Sequence, residues 1–280
     1  MALRINYNLA ASSAQRGLAA SQDAYAKQAN RLSTGLRINS AADDAAGMAV
    51  SEKLKNQVRG LNQAQRNAQD SISLIQTAEG ALTETHSLLA RMRELAVQSS
   101  NDTLTISDRA NLNAEFTQLQ AEVDRIATST QFNTALLLNG SGTATALTFQ
   151  IGANNGDTLA LAIDGTQASV LSADFTSANG VAGVAYQSSA SAMISILDTA
   201  VNVVSEDRAG LGAIQNRLES TIRSLAVASE NTSAANSRIA DADIASSMSE
   251  LVRAQILQQA GVSVLAQANQ APSLVLQLLK

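Results

Sequence analysis

The chain has few of the residues on which most compact cores and active sites depend. Its 280 residues include no cysteine, no tryptophan and one proline, and aromatic residues make up 2% of the sequence. Without cysteine, disulfides and thiolate metal sites are excluded. Because aromatic side chains supply much of the buried area in ordinary cores, the core must be built from aliphatic residues, which favours closely packed helices. A single proline leaves very long helices possible.

Charge and hydropathy exclude two further classes of protein. The formal net charge is −5 and no block of lysine and arginine is present, so we expect no nucleic-acid partner. The N-terminal residues lack the apolar stretch of a secretory signal peptide. The longest charge-free stretch, 254–279, is interrupted by glutamine and asparagine, so we expect no membrane insertion.

The clearest pattern is an apolar residue at every seventh position. Three runs have this spacing: Leu54, Leu61, Ala68, Ile75, Leu82, Leu89 and Ala96; Leu197, Val204, Leu211, Leu218 and Leu225; and Leu112, Leu119 and Ile126, accompanied by Phe116 and Val123. An interval of seven keeps the apolar seam turned toward partner helices. We therefore predict a mainly α fold, a long antiparallel helical bundle or coiled coil, in which a helix over 44–99 is about 80 Å long.

The middle of the sequence, 139–187, has a different character. It is rich in glycine, threonine, serine and asparagine, and two runs that alternate apolar and small or polar residues flank the turn-forming sequence GANNGD. Alternation around such a turn predicts a β-hairpin. We interpret 139–187 as a hairpin and surface excursion from the bundle.

Each end of the sequence predicts an amphipathic helix whose apolar face is too wide for one partner helix to bury. The residues that form these faces are Leu18, Tyr25 and Leu32 near the N-terminus and Ile244, Leu251, Ile256, Leu257, Val264 and Leu265 near the C-terminus. Burial of apolar surface is worth about 25 cal/mol per Å², which favours additional partners. Other copies of the chain are the simplest source, so we predict that these residues pack between subunits.

A polar break at 33–44 separates the N-terminal helix from the bundle. Its distinctive residues are Gly35, Asn39, Asp43 and Asp44, and we predict a joint between domains in which Gly35 supplies backbone freedom. Ser40 or Asp43 is expected to cap the next helix, and the two aspartates to complement its dipole. The alternative is a paired-carboxylate or Mg²⁺ site, which we disfavour because no histidine or phosphate-binding loop accompanies the acids.

The single histidine, His86, lies near the seam of the first long run. A metal or acid–base role would need a second ligand or partner of the same kind, which the sequence does not offer. We therefore predict no catalytic residue, no metal site, no cofactor and no enzymatic activity.

Long motifs at both ends resemble bacterial flagellin. They include LSTGLRINSAADDAAGMAVSEKL and TQFNTALLLNG in the N-terminal part, and DRAGLGAIQNRLESTI and SRIADADIASSMSELVRAQILQQAGVSVLAQAN in the C-terminal part. The resemblance covers 1–138 and 187–280. It implies a structural subunit that polymerises into the hollow, extracellular flagellar filament used for motility. It also implies type III export without a cleaved signal peptide. The short middle implies a form with little or no outer variable domain.

The resemblance also assigns roles to parts of the chain. It implies that 1–40 plus 241–280 form a terminal helix pair in the inner tube of the filament. The bundle is then 41–138 plus 188–240, with the excursion at 139–187 inside it. The implied partners are other copies of the chain, the flagellar cap and hook-junction proteins, an export chaperone at the C-terminal helix and the type III export apparatus.

One further implied partner is the vertebrate innate-immune flagellin receptor. Its contact positions in the family match Arg91, Leu95 and Glu115, whereas Ala90 and Leu119 depart from the residues common in recognised forms. The resemblance thus makes this bundle surface a candidate receptor surface.

Two other functions stay open at the level of sequence. A hook–filament junction protein shares the terminal helices, and a cytosolic coiled-coil signalling rod shares the heptads. The signalling rod predicts helix ends that are stable in the monomer. Matching motifs at both ends favour the filament subunit, for which we expect terminal segments that order on assembly.

Overall fold

The computed structural model describes residues 8–140, 147–167, Leu171 and 183–278, with side chains as far as Gln270. In this part of the chain the helices are α1 (Leu9–Thr34), α2 (Ala45–Ser99), α3 (Ile106–Ser129), α4 (Gln187–Ala240) and α5 (Ile244–Leu278). The strands are β1 (Gln131–Phe132), β2 (Ala135–Leu136), β3 (Leu147–Gln150) and β4 (Thr158–Leu161). The predicted mainly α fold is confirmed.

The contacts of the chain divide it into two compact units. One unit comprises Met1–Val58 and Glu230–Lys280, and the other comprises Arg59–Ser229. Because α2 and α4 each contribute to both units, these limits fall inside the two long helices, whereas the domain limits predicted from sequence fall at the breaks beside them. The assignment of the parts to an inner tube and an outer bundle stays a prediction.

The heptad residues of α2 and α4 belong to the core of the 59–229 unit. All members of the two long runs from Leu61 to Ala96 and from Leu197 to Leu225 are buried, together with Phe116 and Val123 of α3. The shorter run behaves differently, because Leu112 and Leu119 are only partly buried against this core. Phe116 and Val123 are themselves seven residues apart, so the interval of seven holds in α3, but the seam that turns inward is theirs and not that of Leu112 and Leu119.

The predicted hairpin in the middle of the chain is present as β3 and β4. The two strands pair antiparallel with Leu147 opposite Leu161 and Phe149 opposite Leu159, so apolar side chains share one face. The hairpin packs on α2, where the side-chain amide of Asn67 donates to the carbonyl oxygen of Gln150 at 3.1 Å. Residues 141–146, 168–170 and 172–182 of the predicted excursion lie outside the described residues.

A second, shorter hairpin was not predicted from the sequence. Strands β1 and β2 pair antiparallel around Asn133 and Thr134, whose φ angles are 48° and 67°. Two successive positive φ angles define the tight hairpin turn that usually carries glycine at its second position. A β-branched residue in that conformation is strained.

Candidate assembly surface

The terminal helices α1 and α5 form an antiparallel pair. At one end the side-chain amide of Asn8 donates to the carbonyl oxygen of Ala268 at 2.8 Å, and at the other end Leu36 and Asp241 form an antiparallel bridge. A Cβ atom added to Gly261 would lie 3.3 Å from Cδ1 of Leu18. The absence of a side chain at Gly261 therefore lets the two helices approach closely.

Helix α1 covers only part of the apolar surface of α5. Along one flank of the contact, α5 exposes four apolar side chains, which we call the apolar stripe: Ile244, Met248, Val252 and Ile256. At about 100° per residue, Leu257 and Val264 lie on the opposite flank, and both are also exposed. A helix that is apolar nearly all round is normally buried.

The opposite flank contains a groove between the two helices. We call it the terminal groove; it has a volume of about 480 Å³ and its apolar lining includes Gly17, Leu18, Ala24, Ala254, Leu257, Gly261 and Val264. Its lining also includes Arg253 and Glu250, which form an ion pair at 2.9 Å. The terminal pair thus presents a row of large apolar side chains on one flank, and on the other a groove whose lining includes several glycine and alanine residues.

In the single subunit, the residues that were predicted to pack between subunits fall into a half-buried group and an exposed group. Leu18, Leu32, Leu251 and Leu265 are half-buried, whereas Tyr25, Ile244, Ile256, Leu257 and Val264 are exposed. The prediction omitted Met248, Val252, Leu9 and Val262, which are exposed too. Helical spacing identifies the three on α5, because Met248 and Val252 continue the i, i+4 series from Ile244 and Val262 lies about five turns beyond Ile244. It does not identify Leu9, which lies on α1.

The predicted joint connects two breaks of the chain. Gly35 ends α1 in the left-handed region with φ 73°, and its carbonyl oxygen accepts a hydrogen bond from Ala242 N–H at 2.9 Å. Arg37 donates from its backbone to Ala240 at 2.7 Å and from its guanidinium to Ile239 at 2.6 Å. These hydrogen bonds therefore hold the segment between α1 and α2 against the turn between α4 and α5.

The two aspartates of the joint have different tasks. Oδ2 of Asp43 accepts hydrogen bonds from the backbone N–H groups of Asn39 and Ser40, and its Oδ1 pairs with Lys27 at 2.9 Å. The bond from Lys27, followed by those backbone bonds, lowers the pKa of Asp43 to about 2 against the opposing effect of burial. Asp43 therefore stabilises the joint as an anion.

The expected cap of α2 by Ser40 or Asp43 is corrected by the structure. Asp44 precedes the helix, and its Oδ1 accepts from the backbone N–H of Gly47 at 2.8 Å, which is the bond of an N-cap residue. Asp43 is one residue too early for that position, and Lys27 and the turn N–H groups occupy its oxygens. Asn39 contributes a side-chain bond to the carbonyl oxygen of Leu36 at 3.3 Å.

Two of the three candidate receptor residues, Arg91 of α2 and Glu115 of α3, are in direct contact. Arg91 pairs with Glu115 at 2.8 Å and with Glu94 at 2.9 Å, and both partners are exposed. Leu95 is 0% exposed and belongs to the core. The structure thus places Arg91 and Glu115 on the surface and Leu95 beneath it.

In the unit Arg59–Ser229, which we call the bundle unit, the carboxyl group of Asp207 has a raised pKa. Burial first, and then the charges of Asp164 and Glu206, raise the pKa of Asp207 to about 6. Among the described residues, Oδ2 of Asp207 is enclosed and has no hydrogen-bond partner. Its charge is therefore a local source of instability near neutral pH.

The described residues form neither a metal-binding cluster nor a membrane-spanning helix. In this part of the chain, no three acidic or histidine side chains are arranged to hold a metal ion. None of the helices described has a stretch both long and apolar enough to span a bilayer.

Long helices with heptad cores and a terminal pair that leaves apolar surface uncovered define an α-helical protein of the self-assembling structural class. The family model "Bacterial flagellin N-terminal helical region" matches residues 5–143, and "Bacterial flagellin C-terminal helical region" matches 194–279. The chain belongs to the bacterial flagellin family.

Individual relatives agree with this assignment over the full length. Flagellin of Halalkalibacterium halodurans is 50% identical over 276 residues, 99% of each chain. Flagellin of Bacillus subtilis is 44% identical over 304 residues, 99% of this chain and 100% of the relative. The crystal structure of Bacillus cereus flagellin is similar with a TM-score of 0.50 and 31% identity, covering 57% of this chain and 88% of that one.

The family membership settles the general function. The chain is a short flagellin, a structural subunit that polymerises into the extracellular flagellar filament, and it is not an enzyme. These relatives favour neither the hook–filament junction protein nor the signalling rod.

Proposed function

We propose that the apolar stripe of one subunit seats in the terminal groove of the next, so that the terminal helix pairs build the inner tube of the filament. The observation that carries the proposal is the exposure of α5, where Ile256 alone is 59% exposed. Neighbouring copies supply the partner surface that α1 does not. In this contact, the residues of both terminal helices that were predicted to pack between subunits would be buried against the neighbouring subunit.

The shapes of the two flanks support a head-to-tail contact. Large side chains at i, i+4 spacing form a ridge, and a groove lined by Gly17, Ala24 and Gly261 accepts a ridge of that kind. Because the two surfaces differ and lie on opposite flanks of one helix pair, the contact is heterologous. A heterologous contact whose rotation does not close produces an open helical polymer.

The same surface accounts for the partners of the free subunit. Before assembly the apolar stripe is a liability for aggregation, and an export chaperone at the C-terminal helix would cover it. The type III apparatus would then pass the chain outward without cleavage of a signal peptide. The flagellar cap and the hook-junction proteins would meet the same terminal helices at the two ends of the filament.

The surface around Arg91 and Glu115 is our proposed contact for the vertebrate innate-immune receptor. Both side chains are exposed in the subunit, whereas Leu95 is buried in the core. Reporter cells should respond less to Arg91→Ala than to the unaltered monomer, whereas Arg125→Ala, which breaks another exposed ion pair on α3, should leave the response unchanged. We expect neighbouring subunits to cover this surface in the filament, so sheared filament should be less potent than monomer. Equal potency would argue against that covering.

The stripe-in-groove contact is tested by seeded polymerisation, followed by light scattering and negative-stain microscopy. The double variant Val252→Gln, Ile256→Gln should fail to elongate seeds. Ile106→Gln is the matched control, because Ile106 is 71% exposed but lies at the start of α3, and it should polymerise normally.

Mixing the proteins distinguishes a head-to-tail contact from a general loss of solubility. The stripe variant retains its groove, so it should add to one end of a growing polymer and stop further addition there. A small fraction of this variant should therefore suppress elongation of the unaltered protein. Normal elongation of the stripe variant alone would overturn the proposal. If adding the variant left elongation of the unaltered protein unchanged, the head-to-tail form of the contact would be overturned.

A further inference from the structure

We propose that Asn155 is a site of spontaneous deamidation, at which the subunit changes covalently with age while a second Asn–Gly pair of the same chain is protected. Both pairs, Asn155–Gly156 and Asn139–Gly140, lie within the described residues. A third, Asn179–Gly180, lies outside the described residues and takes no part in the comparison. The proposal does not depend on the assembly contact described above.

The first pair lies at the exposed tip of the β3–β4 hairpin. Asn155 and Gly156 are both exposed, and nothing lies within 4 Å of the position that a Cβ atom on Gly156 would occupy. Two hydrogen bonds close the turn, from Asp157 N–H to the carbonyl oxygen of Asn154 at 3.3 Å and from Thr158 N–H to the carbonyl oxygen of Gly156 at 2.8 Å. Among the described residues, no hydrogen bond holds the side chain of Asn155 or the N–H of Gly156, so the two reacting groups can approach each other.

The second pair is held by its surroundings. Oδ1 of Asn139 accepts a hydrogen bond from the side-chain amide of Gln167. The backbone of Gly140 is packed against that of Gly165, with no room for even a Cβ atom between them. The residues on either side of this contact are also joined, since Thr166 N–H donates to the carbonyl oxygen of Leu138 at 3.0 Å. Deamidation at Asn139 would first require this part of the chain to open.

The reaction needs only water as co-reactant. The backbone nitrogen of Gly156 loses its proton to solvent and attacks Cγ of Asn155, so a nitrogen–Cγ bond forms, the Cγ–Nδ2 bond breaks and ammonia leaves. Water then opens the five-membered succinimide. Cleavage of the new nitrogen–Cγ bond gives aspartate, and cleavage of the original nitrogen–carbonyl bond gives isoaspartate, in which the main chain runs through the side chain.

Both products alter the surface of the hairpin. Each adds one negative charge beside Asp157, whose carboxylate already accepts the backbone N–H of Asn154 at 3.1 Å. Isoaspartate also lengthens the turn by one backbone carbon, close to the contact of Ala153 with Gly60 of α2. In an extracellular polymer, where water is plentiful, modified subunits should accumulate.

The test is peptide mapping by mass spectrometry of the full chain, incubated in mildly alkaline buffer at physiological temperature. The fraction deamidated at Asn155 should rise about tenfold or more faster than at Asn139, because protected segments react only through local opening. Isoaspartate at residue 155 should be detected by enzymatic methylation. Circular dichroism during the incubation confirms that the protein stays folded.

Two comparisons separate the effect of structure from that of sequence. In concentrated denaturant the rates at Asn155 and Asn139 should converge, because both then lie in unfolded chain. Asn155→Gln, which needs a larger and slower ring closure, should abolish the fast reaction and leave the slow reaction at Asn139 unchanged. Equal rates at the two sites in the folded protein, or a faster rate at Asn139, would overturn the proposal.

Discussion

Lys27 of α1 and Asp43 of the joint form an ion pair of 2.9 Å. With the backbone N–H groups of Asn39 and Ser40, this pair lowers the pKa of Asp43 from 3.8 to about 2. The folded pKa lies below the unfolded one, so the anion stabilises the joint above pH 3.8, and that contribution is lost as the pH falls through about 2. The joint is therefore sensitive to strong acid and insensitive to pH near neutrality.

Replacing Lys27 should shift the titration of Asp43. In Lys27→Met the largest cause of the low pKa is gone, so the pKa of Asp43 should move up toward 3.8. The measurement is a carboxyl-carbon NMR titration of the monomer. Lys55→Met removes an equal charge from α2 and leaves every partner of Asp43 in place, so its titration should match the unaltered protein. An unchanged pKa in Lys27→Met would mean that the backbone bonds alone hold the anion.

Asp207 should have the opposite pH dependence. Its folded pKa of about 6 lies above the ordinary value of 3.8, so the folded state binds the proton more tightly and stability falls as the pH rises through this window. Asp207→Asn should remove that slope and stabilise the bundle near neutral pH. A shift of about two units corresponds to ~3 kcal/mol, which solvent screening of a partly exposed group reduces to about 1 kcal/mol.

Thermal melts at neutral and mildly acidic pH check this effect. The unaltered protein should melt higher in mild acid, and Asp207→Asn should melt alike at both pH values. Asp164→Asn serves as the graded comparison: burial is the largest cause of the raised pKa and Asp164 only the second, so this variant should weaken the slope without removing it.

Thr134 offers a test of backbone strain in the bundle unit. Its φ of 67° is a conformation that glycine adopts freely and a β-branched residue does not. Thr134→Gly should therefore raise the free energy of unfolding by about 1 kcal/mol, measured by urea denaturation. Thr130→Gly, at an extended residue four positions earlier, should be neutral or destabilising.

The heptad core and the β3–β4 hairpin could be predicted from sequence because each depends on local periodicity. The runs through Ile75 and Leu211 repeat without interruption, and both residues are buried. The pattern was less informative for α3. There Phe116 and Val123 form the inward face, and only the neighbouring helices decide which of two apolar seams turns inward.

The sequence could not predict which distant residues the polar side chains contact. Asp43 and Asp44 are adjacent and chemically alike, and the sequence could not show which one caps α2. The choice follows from Lys27, which approaches Asp43 from another helix. The burial of Leu95 was missed for a similar reason, since a residue on a proposed binding surface can belong to the heptad layer beneath it. The β1–β2 turn was missed because threonine stands where that turn favours glycine.

Gly261 should be intolerant of large side chains. A Cβ atom there would lie 3.3 Å from Cδ1 of Leu18, so Gly261→Ile should separate α1 from α5 and prevent polymerisation. Thermal melting of the bundle unit should stay unchanged, because Gly261 lies outside it. Gly210→Ile is the control, since nothing lies within 4 Å of a Cβ atom at Gly210. Filaments of normal length from Gly261→Ile would show that close helix approach is dispensable.

Limited proteolysis should separate the terminal segments from the bundle. In the free subunit the apolar stripe is exposed, so the terminal helices have little burial to hold them and should open readily. A nonspecific protease should trim about 1–40 and 241–280 and leave a resistant fragment containing the heptad core. In filaments the same segments should resist cleavage, because sister subunits cover them.

The double variant Val252→Gln, Ile256→Gln should be cleaved like the free subunit even at concentrations where the unaltered protein polymerises. Terminal segments that resist cleavage equally in monomer and filament would mean that the pair of α1 and α5 is stable alone, and the need for sister subunits would then lose its physical basis.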